Sequence, residues 1–184
     1  MLIEKNWPSK VLSFWFGELG PEGWFEIRAK TDETIRERFE KLYHELFAAA
    51  PSMVFDDPDT ALAAIIVFDQ FPRNMFRGAA RAFATDDLAA AIARKAIERD
   101  FDAGVPEERK LFFYLPLMHS ENVADQEHCV SLCAALKSDV IKYAIEHRDI
   151  IARFGRFPHR NRALGRQSTA EEEAFLSGHK GFGQ

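Results

Sequence analysis

Three polar segments of the sequence hold the residues that could do chemistry, and the third, residues 153–166, is the most strongly charged. It contains five arginines and His159 but no acidic residue. This positive charge needs distant carboxylates or a bound anion as its partner. Guanidinium groups donate paired hydrogen bonds to carboxylates and phosphates. The segment therefore predicts either an anion site that includes Arg156, Arg160 and Asn161, or a closed network of ion pairs.

The first polar segment, residues 69–77, begins where an apolar helix is predicted to end. The helix dipole disfavours a carboxylate at that end, so Asp69 needs a cation from the arginines of this segment or of the third segment. Its neighbours Gln70, Arg73 and Asn74 can donate hydrogen bonds to a ligand. A ligand site formed by these four residues is one interpretation, and an ion pair that locks the helix to the following loop is the other.

The second polar segment, residues 119–126, combines an imidazole, carboxylates and an amide. His119 and Glu121 are candidates for acid–base catalysis, because the surroundings of such groups can shift their pKa values towards neutral pH. Gln126 falls on an apolar helical face, where a buried amide needs hydrogen-bond partners. It could bind a ligand, or it could bond to the backbone of a loop.

A catalytic arrangement can be built from the second and third segments. In this arrangement, His119 or His159 transfers a proton on an anionic substrate that arginines of the third segment hold. The carboxylates that would orient these groups are Asp69, Glu121 and Asp125. A buried His147 on the apolar stripe of a later helix is more typical of a core residue.

The sequence lacks the familiar signatures of metal and cofactor sites. It has no phosphate-binding glycine loop, no serine-hydrolase elbow and no dinucleotide fingerprint. The nearest approach to a paired-metal motif, Asp125-Gln-Glu-His128, occurs once. We therefore predict neither a metal nor a cofactor.

Composition and charge restrict the possible partners. The 184 residues are 47% hydrophobic and include 17 phenylalanines, enough for the core of one domain. The net charge of −5 disfavours nucleic acid, although phenylalanines alternate with arginines in the third segment as they do in some single-strand binders. The sequence does not determine an oligomeric state.

The apolar runs of the sequence are too short for a membrane span. The longest, residues 61–68 and 111–118, have eight residues each, whereas a span needs about 20. The amino-terminal residues lack the apolar core and the cleavage site of a secretion signal. We therefore predict a cytoplasmic protein in which Cys129 and Cys133 are free, buried thiols.

Helical periodicity and capping residues predict an all-α protein that forms one domain over residues 1–184. About eight helices with short connections should form antiparallel pairs, in a bundle or in a tetratricopeptide-like array. The helices are expected to begin near Pro8, at Asp32 as N-cap, at Asp59 or Thr60, at Thr85, at Pro106, at Asn122, at Ser138 and at Ser168 or Thr169. The third, over residues 61–70, is apolar on every side and should be central.

Long, specific strings occur along nearly the whole chain. They are Val11-Leu-Ser-Phe-Trp-Phe-Gly17, Asp69-Gln-Phe-Pro-Arg-Asn74, Tyr114-Leu-Pro-Leu-Met-His-Ser-Glu121, Asp125-Gln126 and Arg153-Phe-Gly-Arg-Phe-Pro-His-Arg-Asn161. In these strings the sequence resembles a bacterial domain-of-unknown-function family, DUF924. The resemblance implies an all-α fold of the tetratricopeptide-like kind. It brings no established activity and no catalytic residues.

Two functions remain open from the sequence. The leading interpretation is a helical binding module whose Arg/His cluster holds an anionic small molecule or an acidic peptide. Its expected ligand-binding residues are Asp69, Gln70, Arg73, Asn74, Gln126, Arg156, Arg160 and Asn161. The alternative is an enzyme that does acid–base chemistry on an anionic substrate, with His119, Glu121 and His159 as candidate catalytic residues.

Overall fold

Helices make up the regular structure of the described residues. The computed structural model describes residues 3–50, 57–179 and 181–182, and no strand occurs among them. The α-helices are α1 (Trp7–Leu12), α2 (Pro21–Trp24), α3 (Ala29–Ala49), α4 (Pro58–Ile65), α5 (Phe71–Met75), α6 (Asp86–Glu98), α7 (Glu107–His119), α8 (Val123–Cys133), α9 (Val140–Phe154) and α10 (Ala170–Gly178). π-Helical segments Ser13–Leu19 and Ile66–Gln70 follow α1 and α4, and short 3₁₀ helices cover Ala80–Phe83 and Pro158–Arg160. The prediction of an all-α protein is confirmed.

The central element of the fold is α4, together with the π-helical segment and α5 that follow it. Every residue from 61 to 76 is buried, as expected for a helix that is apolar on every side. The helix does not end at Gln70, as the sequence suggested, but continues through the wider π-helical turns to Met75. Pro72 has no N–H to donate within this continuous helix, and the carbonyl of Phe68, four residues earlier, accepts the hydroxyl of Thr85 instead. The first polar segment therefore extends the central helix.

The other helices pack around this element in neighbouring pairs. α6 packs against α7, α7 against α8 and α8 against α9, while α1 and α6 both contact α4. Trp15 is fully buried and meets the edges of Phe71 and Phe112 at centroid distances of 5.8 and 5.6 Å. These aromatic contacts tie the start of the chain to the central element and to α7.

Thr85 joins α6 to the central element. The prediction of Thr85 as the residue before α6 is confirmed in position, but its side chain does not cap the helix. Its hydroxyl instead donates to the backbone carbonyl of Phe68 at 2.6 Å, within the π-helical segment. The start of α6 is thereby held beside the first polar segment.

Two helix starts follow their predicted caps. Asn122 caps α8 by accepting the backbone N–H of Ala124. Thr169 begins α10 with a capping box, in which its side chain and that of Glu172 accept each other's backbone N–H. Local side-chain chemistry was therefore sufficient to locate these two helices.

Two other predicted caps are wrong. α4 is capped by Asp57, whose side chain accepts the N–H of Thr60, so neither Asp59 nor Thr60 is the cap. α3 begins at Ala29, which places Asp32 inside the first turn of the helix rather than before it. Asp32 has a tertiary role instead, because it pairs with side chains from the first polar segment.

The connection between α8 and α9 is not helical. α8 ends at Cys133, and α9 begins after Asp139 rather than after Ser138, the predicted cap. The carboxylate of Glu107 accepts the backbone N–H groups of Lys137 and Ser138 at 2.8 and 2.9 Å. These two bonds from α7 satisfy the backbone of the connection, which therefore does not need to be helical.

The apolar run of residues 111–118 is helical, as predicted. It lies in α7, which begins after Pro106 and runs through Pro116 to His119, so Pro106 is the residue before the helix rather than its first residue. None of the helices in the described ranges has both the length and the apolar character that crossing a bilayer requires. Cys129 and Cys133 are both free and buried, as expected.

Candidate functional site

A cavity of about 620 Å³ opens between the α2–α3 connection, the central element, α7 and the start of α9. Its mouth carries apolar side chains that are largely exposed: Phe25 at 64%, Ile27 at 62% and Tyr143 at 58%. Leu115 and Val140 belong to the apolar walls behind the mouth. The exposure of the mouth is notable, because large apolar side chains in contiguous exposed patches usually mark a binding surface.

Buried polar residues also line this cavity, and we call them the polar floor: Gln70, Arg73, Asn74, His119 and His147. The sequence predicted the first three as ligand-binding residues and His119 as a catalytic candidate. His147 was expected in the core, and it is buried there with 6% of its surface exposed. The structure thus brings residues of the first and second polar segments to one cavity.

Asp69 is fully buried next to the polar floor and holds His119 in place. The Nδ1 of His119 lies 2.8 Å from Oδ1 and 3.0 Å from Oδ2 of Asp69, and Gln70 Nε2 donates to Oδ2 at 2.6 Å. Burial alone would raise the pKa of Asp69, but its contacts with His119, Arg73 and Gln70 lower it below its usual value. Burial and the charge of Arg73 lower the pKa of His119, against the opposing effect of Asp69. At neutral pH, His119 is therefore a neutral imidazole whose Nδ1–H is donated to a carboxylate.

Asp86 links the first and third polar segments through buried ion pairs. Arg73 donates from both terminal nitrogens to the two carboxylate oxygens of Asp86, at 3.0 Å each, and also to the backbone oxygen of Asp69 at 2.5 Å. Arg160 Nη1 donates to Asp86 at 3.1 Å. Burial lowers the pKa of Arg160 to about 10, which leaves it charged at neutral pH. Two guanidinium groups thus face the carboxylates of Asp69 and Asp86, and the buried charges balance.

Asp86 was missed by the sequence reasoning. It follows Thr85 and precedes Asp87, and the sequence alone does not distinguish the buried Asp86 from the exposed Asp87. The excess of arginine in the first and third polar segments could have pointed to Asp86. Arg73 and Arg160 both needed an acidic partner from outside those segments. Its position at the start of α6 then follows from the contact of that helix with the central element.

Asp32 accepts hydrogen bonds from a second part of the first polar segment. Asn74 Nδ2 donates to Asp32 Oδ1 at 2.8 Å. Arg77 donates to the same carboxylate from Nη2 at 2.9 Å and from Nε at 3.0 Å. The amide donor of Asn74 and the guanidinium of Arg77 are therefore both directed towards α3.

His147 is a second buried imidazole on the cavity. Its Nδ1 donates to the backbone carbonyl of Tyr143 at 2.7 Å, and the ring of Phe182 stacks on it at a centroid distance of 3.8 Å. Burial, reinforced by the neighbouring His119, lowers the pKa of His147 to about 3. The ring centroids of the two histidines are 6.3 Å apart. The sequence could not show that His147 lines a cavity. A histidine on an apolar helical stripe has the same sequence pattern whether or not a cavity lies beside it.

Gln126 fixes the chain next to His119 rather than lining the cavity. Its Nε2 donates to the backbone oxygens of Met118 and Ser120 at 2.6 and 2.7 Å. Of the two interpretations of Gln126, this is the one in which its amide donates to the backbone of a loop. Because these two carbonyls belong to the residues on either side of His119, Gln126 fixes the backbone around that histidine.

The third polar segment forms closed ion pairs away from the cavity. Arg156 donates to both oxygens of Glu172 at 2.6 and 2.8 Å, and Arg166 donates to both oxygens of Glu121 at 2.8 and 2.9 Å. Asn161 Nδ2 donates to the same Glu172 carboxylate at 3.3 Å. The expected site residues Glu121, Arg156, Arg160 and Asn161 are thus not brought to the cavity wall.

His159 lies among aromatic side chains. Its ring centroid is 5.4 Å from that of Phe157 and 5.4 Å from that of Phe182. Phe182 lines the cavity, whereas His159 does not. The two imidazoles near the cavity are therefore His119 and His147, and His159 packs among aromatic rings instead.

The arrangement can support binding and proton transfer. A carboxylate that orients a neutral imidazole through Nδ1 leaves Nε2 able to accept a proton or a hydrogen bond. Within the described ranges, no group of three or more His, Cys, Asp or Glu residues is placed to hold a metal ion.

Comparison with known proteins gives a family. The sequence profile described as "Bacterial protein of unknown function (DUF924)" matches residues 11–180. A solved structure titled "Structure of Protein of Unknown Function ATU0120 from Agrobacterium tumefaciens" is 40% identical, with a TM-score of 0.86, and the match covers 94% of this chain and 97% of that chain. No curated protein matches the chain. The chain belongs to the bacterial family of unknown function DUF924.

Proposed function

We propose that this protein binds an amphipathic small molecule in the cavity, with the apolar part of the ligand at the mouth and walls and its polar end at the polar floor. The observation that carries the proposal is the order of surfaces along the cavity, from exposed Phe25, Ile27 and Tyr143 to buried Gln70 and His119. The volume of about 620 Å³ suits such a ligand, because small-molecule pockets usually span roughly 300–1,000 Å³.

The anionic small molecule or acidic peptide expected from the arginines has weaker support. Arg73 and Arg160 both donate to Asp86, and Arg156 donates to Glu172. An anionic ligand would have to displace one of these carboxylates or share its arginine. The support for an amphipathic ligand does not depend on such a displacement.

A second candidate function is acid–base catalysis at the polar floor. The observation that favours it is the contact of Asp69 with His119 Nδ1 at 2.8 Å, at a histidine that lines the cavity. His119 Nε2 would accept the proton of a substrate O–H or N–H group in the step in which that group uses its electron pair to form a new bond, and Asp69 would stabilise the imidazolium. This chemistry would use the same cavity, so ligand binding is tested first.

Binding can be tested by titrating the full-length protein with Nile red, an uncharged apolar dye. We expect saturable, one-to-one binding. Val140→Trp fills the cavity from the start of α9 and should weaken binding at least about tenfold. The matched control is Ile145→Trp, on the same helix and exposed at 39%, but not on the cavity.

The control separates a cavity ligand from a dye that coats apolar surface. Ile145→Trp should leave the affinity within about twofold of the unmodified protein. The proposal is wrong if Nile red does not saturate, or if the two tryptophan variants weaken binding equally while both remain folded.

A further inference from the structure

The amides on the polar floor present their acceptor oxygens to a ligand. Gln70 Nε2 donates to the Asp69 carboxylate and Asn74 Nδ2 donates to the Asp32 carboxylate. Because an ionised carboxylate only accepts hydrogen bonds, these contacts fix which end of each amide is NH₂. The remaining atoms, Gln70 Oε1 and Asn74 Oδ1, have no hydrogen-bond partner among the described residues, and neither is sealed from solvent.

The two imidazoles on the floor also present acceptor atoms to a ligand. His119 Nδ1 contacts the Asp69 carboxylate, and His147 Nδ1 contacts the backbone carbonyl of Tyr143. Both partners accept hydrogen bonds, so Nδ1 carries the proton in each ring. Burial lowers the pKa of both histidines, which keeps Nε2 unprotonated at neutral pH. In the described part of the chain, neither Nε2 has a partner, so each is an acceptor.

The two guanidinium groups that line the cavity, those of Arg73 and Arg77, donate into the protein. Both terminal nitrogens of Arg73 donate to Asp86, and Arg77 donates to Asp32 from two nitrogens. Arg73 Nε has no hydrogen-bond partner among the described residues, but it is buried away from solvent. At its inner end, the cavity therefore offers hydrogen-bond acceptors to a ligand. It does not offer unpaired guanidinium groups among the lining residues that the structure describes.

Carboxylates also lie elsewhere on the cavity wall. Glu26 and Asp139 line the cavity near its mouth, where each pairs with a side chain outside it, Arg28 and Lys142. Because both carboxylates are already paired, the acceptor atoms of the floor decide which head group fits. They are unfavourable for an anion and favourable for an N–H or O–H group.

We infer that the polar end of the ligand is a hydrogen-bond donor, an alcohol O–H or an amine N–H group, and not a carboxylate or phosphate. The inference rests on the proposed function, because it assigns the chemistry of the ligand for that same cavity. It is based on four acceptor atoms at the floor that are unpaired within the described residues: Gln70 Oε1, Asn74 Oδ1, and Nε2 of His119 and His147. A donor placed at the floor satisfies acceptors that a donor-free head group would leave buried and unpaired.

Four ligands with the same eight-carbon chain test the head group: 1-octanol, octylammonium, octanoate and 1-methoxyoctane. Each is titrated against the full-length protein by displacement of Nile red. We expect 1-octanol and octylammonium to bind at least about tenfold more tightly than 1-methoxyoctane, with octanoate the weakest. The difference between the first two identifies an uncharged or a cationic donor.

The outcomes separate the two proposals. If all four ligands bind equally well and Val140→Trp blocks them, the cavity binds amphipathic molecules but the inference about the donor is wrong. Octanoate binding as tightly as 1-octanol would also overturn it. If none of the four displaces the dye and Val140→Trp has no effect, the proposed function is wrong and the inference falls with it.

Variants identify the acceptors. His147→Phe removes one acceptor and should reduce the preference for 1-octanol over 1-methoxyoctane at least about threefold. Gln70→Met removes another and keeps the test available if His147→Phe does not fold. The matched control is His128→Phe, on the exposed face of α8, which should leave the preference unchanged. An unchanged preference in folded His147→Phe and Gln70→Met would contradict the inference.

Discussion

The buried carboxylates of Asp69 and Asp86 orient four polar residues in and beside the site. Asp69 accepts from His119 and Gln70, and Asp86 accepts from Arg73 and Arg160. Each of these donors is held in one orientation by the carboxylate that it contacts. The sequence indicated that Asp69 needs a cation from the arginines of the first or the third polar segment, and Arg73 of the first lies 3.6 Å from its carboxylate.

Removing the charge of Asp86 should destabilise the fold strongly. Asp86→Asn would leave Arg73 and Arg160 buried without their shared carboxylate, and loss of one partner from a buried ion pair typically costs about 3–5 kcal/mol. The measurement is the free energy of unfolding by urea. The exposed neighbour gives the control, because Asp87→Asn should change this free energy by less than about 0.5 kcal/mol. Equal effects of the two substitutions would contradict the buried network.

The stability of the protein should decrease as the pH falls from 7 to 5. His147 has a pKa of about 3 in the folded protein, whereas an unfolded histidine has a pKa of about 6.5. Between these values the unfolded chain binds a proton that the folded chain does not, so the free energy of unfolding falls with the pH.

His147→Phe tests this contribution, because phenylalanine cannot take up the proton. Urea denaturation at both pH values should show that the variant loses about 1–2 kcal/mol less than the unmodified protein between pH 7 and pH 5. The same loss in both proteins would mean that His147 is not held neutral by the fold.

At the scale of helices, local caps predicted some beginnings, whereas contacts with distant residues determine other boundaries. Asn122 and Thr169 locate α8 and α10 because a cap acts on the residues directly after it. The end of α8 depends instead on Glu107, which lies far away in the sequence and accepts hydrogen bonds from the connection after α8. The continuation of the central helix beyond Gln70 also escaped prediction, because it depends on a π-helical segment.

Glu107 should hold the α8–α9 connection in place. Glu107→Ala removes the acceptor for the N–H groups of Lys137 and Ser138, so we expect a loss of about 1–2 kcal/mol in the free energy of unfolding. Hydrogen exchange at these two amides should become faster in the variant. Glu108→Ala, at the exposed neighbouring position, is the control and should leave both measurements unchanged. Unchanged exchange in Glu107→Ala would show that the connection is held by other contacts.

At the scale of the whole molecule, the sequence predicted the all-α fold and part of the cavity. Gln70, Arg73, Asn74 and His119 could be singled out because polar residues follow two strongly apolar runs. They lie together because the central element and α7 pack side by side, with their polar ends adjoining. Antiparallel pairing predicts that the ends of neighbouring helices lie side by side. It does not predict which polar ends adjoin.

The remaining features of the site depend on contacts that one sequence does not reveal. Phe25, Ile27 and Tyr143 form the mouth, yet an exposed apolar residue has the same appearance in sequence as a core residue. Arg156 was expected at the site and instead pairs with Glu172, whose side chain completes the capping box of Thr169. A local count of charges could not assign this partner, because it lies outside the polar segments.

The central claim is that a small amphipathic molecule occupies the cavity. The most direct measurement is an NMR titration of the isotope-labelled, full-length protein with 1-octanol, followed by intermolecular nuclear Overhauser effects. The account predicts saturable shifts, and contacts from the octyl chain, at Ile27, Leu115 and Tyr143, with the largest polar-end shifts at Gln70 and His119. Shifts confined to the open depression at Pro8, Leu12 and Arg109, or no saturable shift at all, would contradict it.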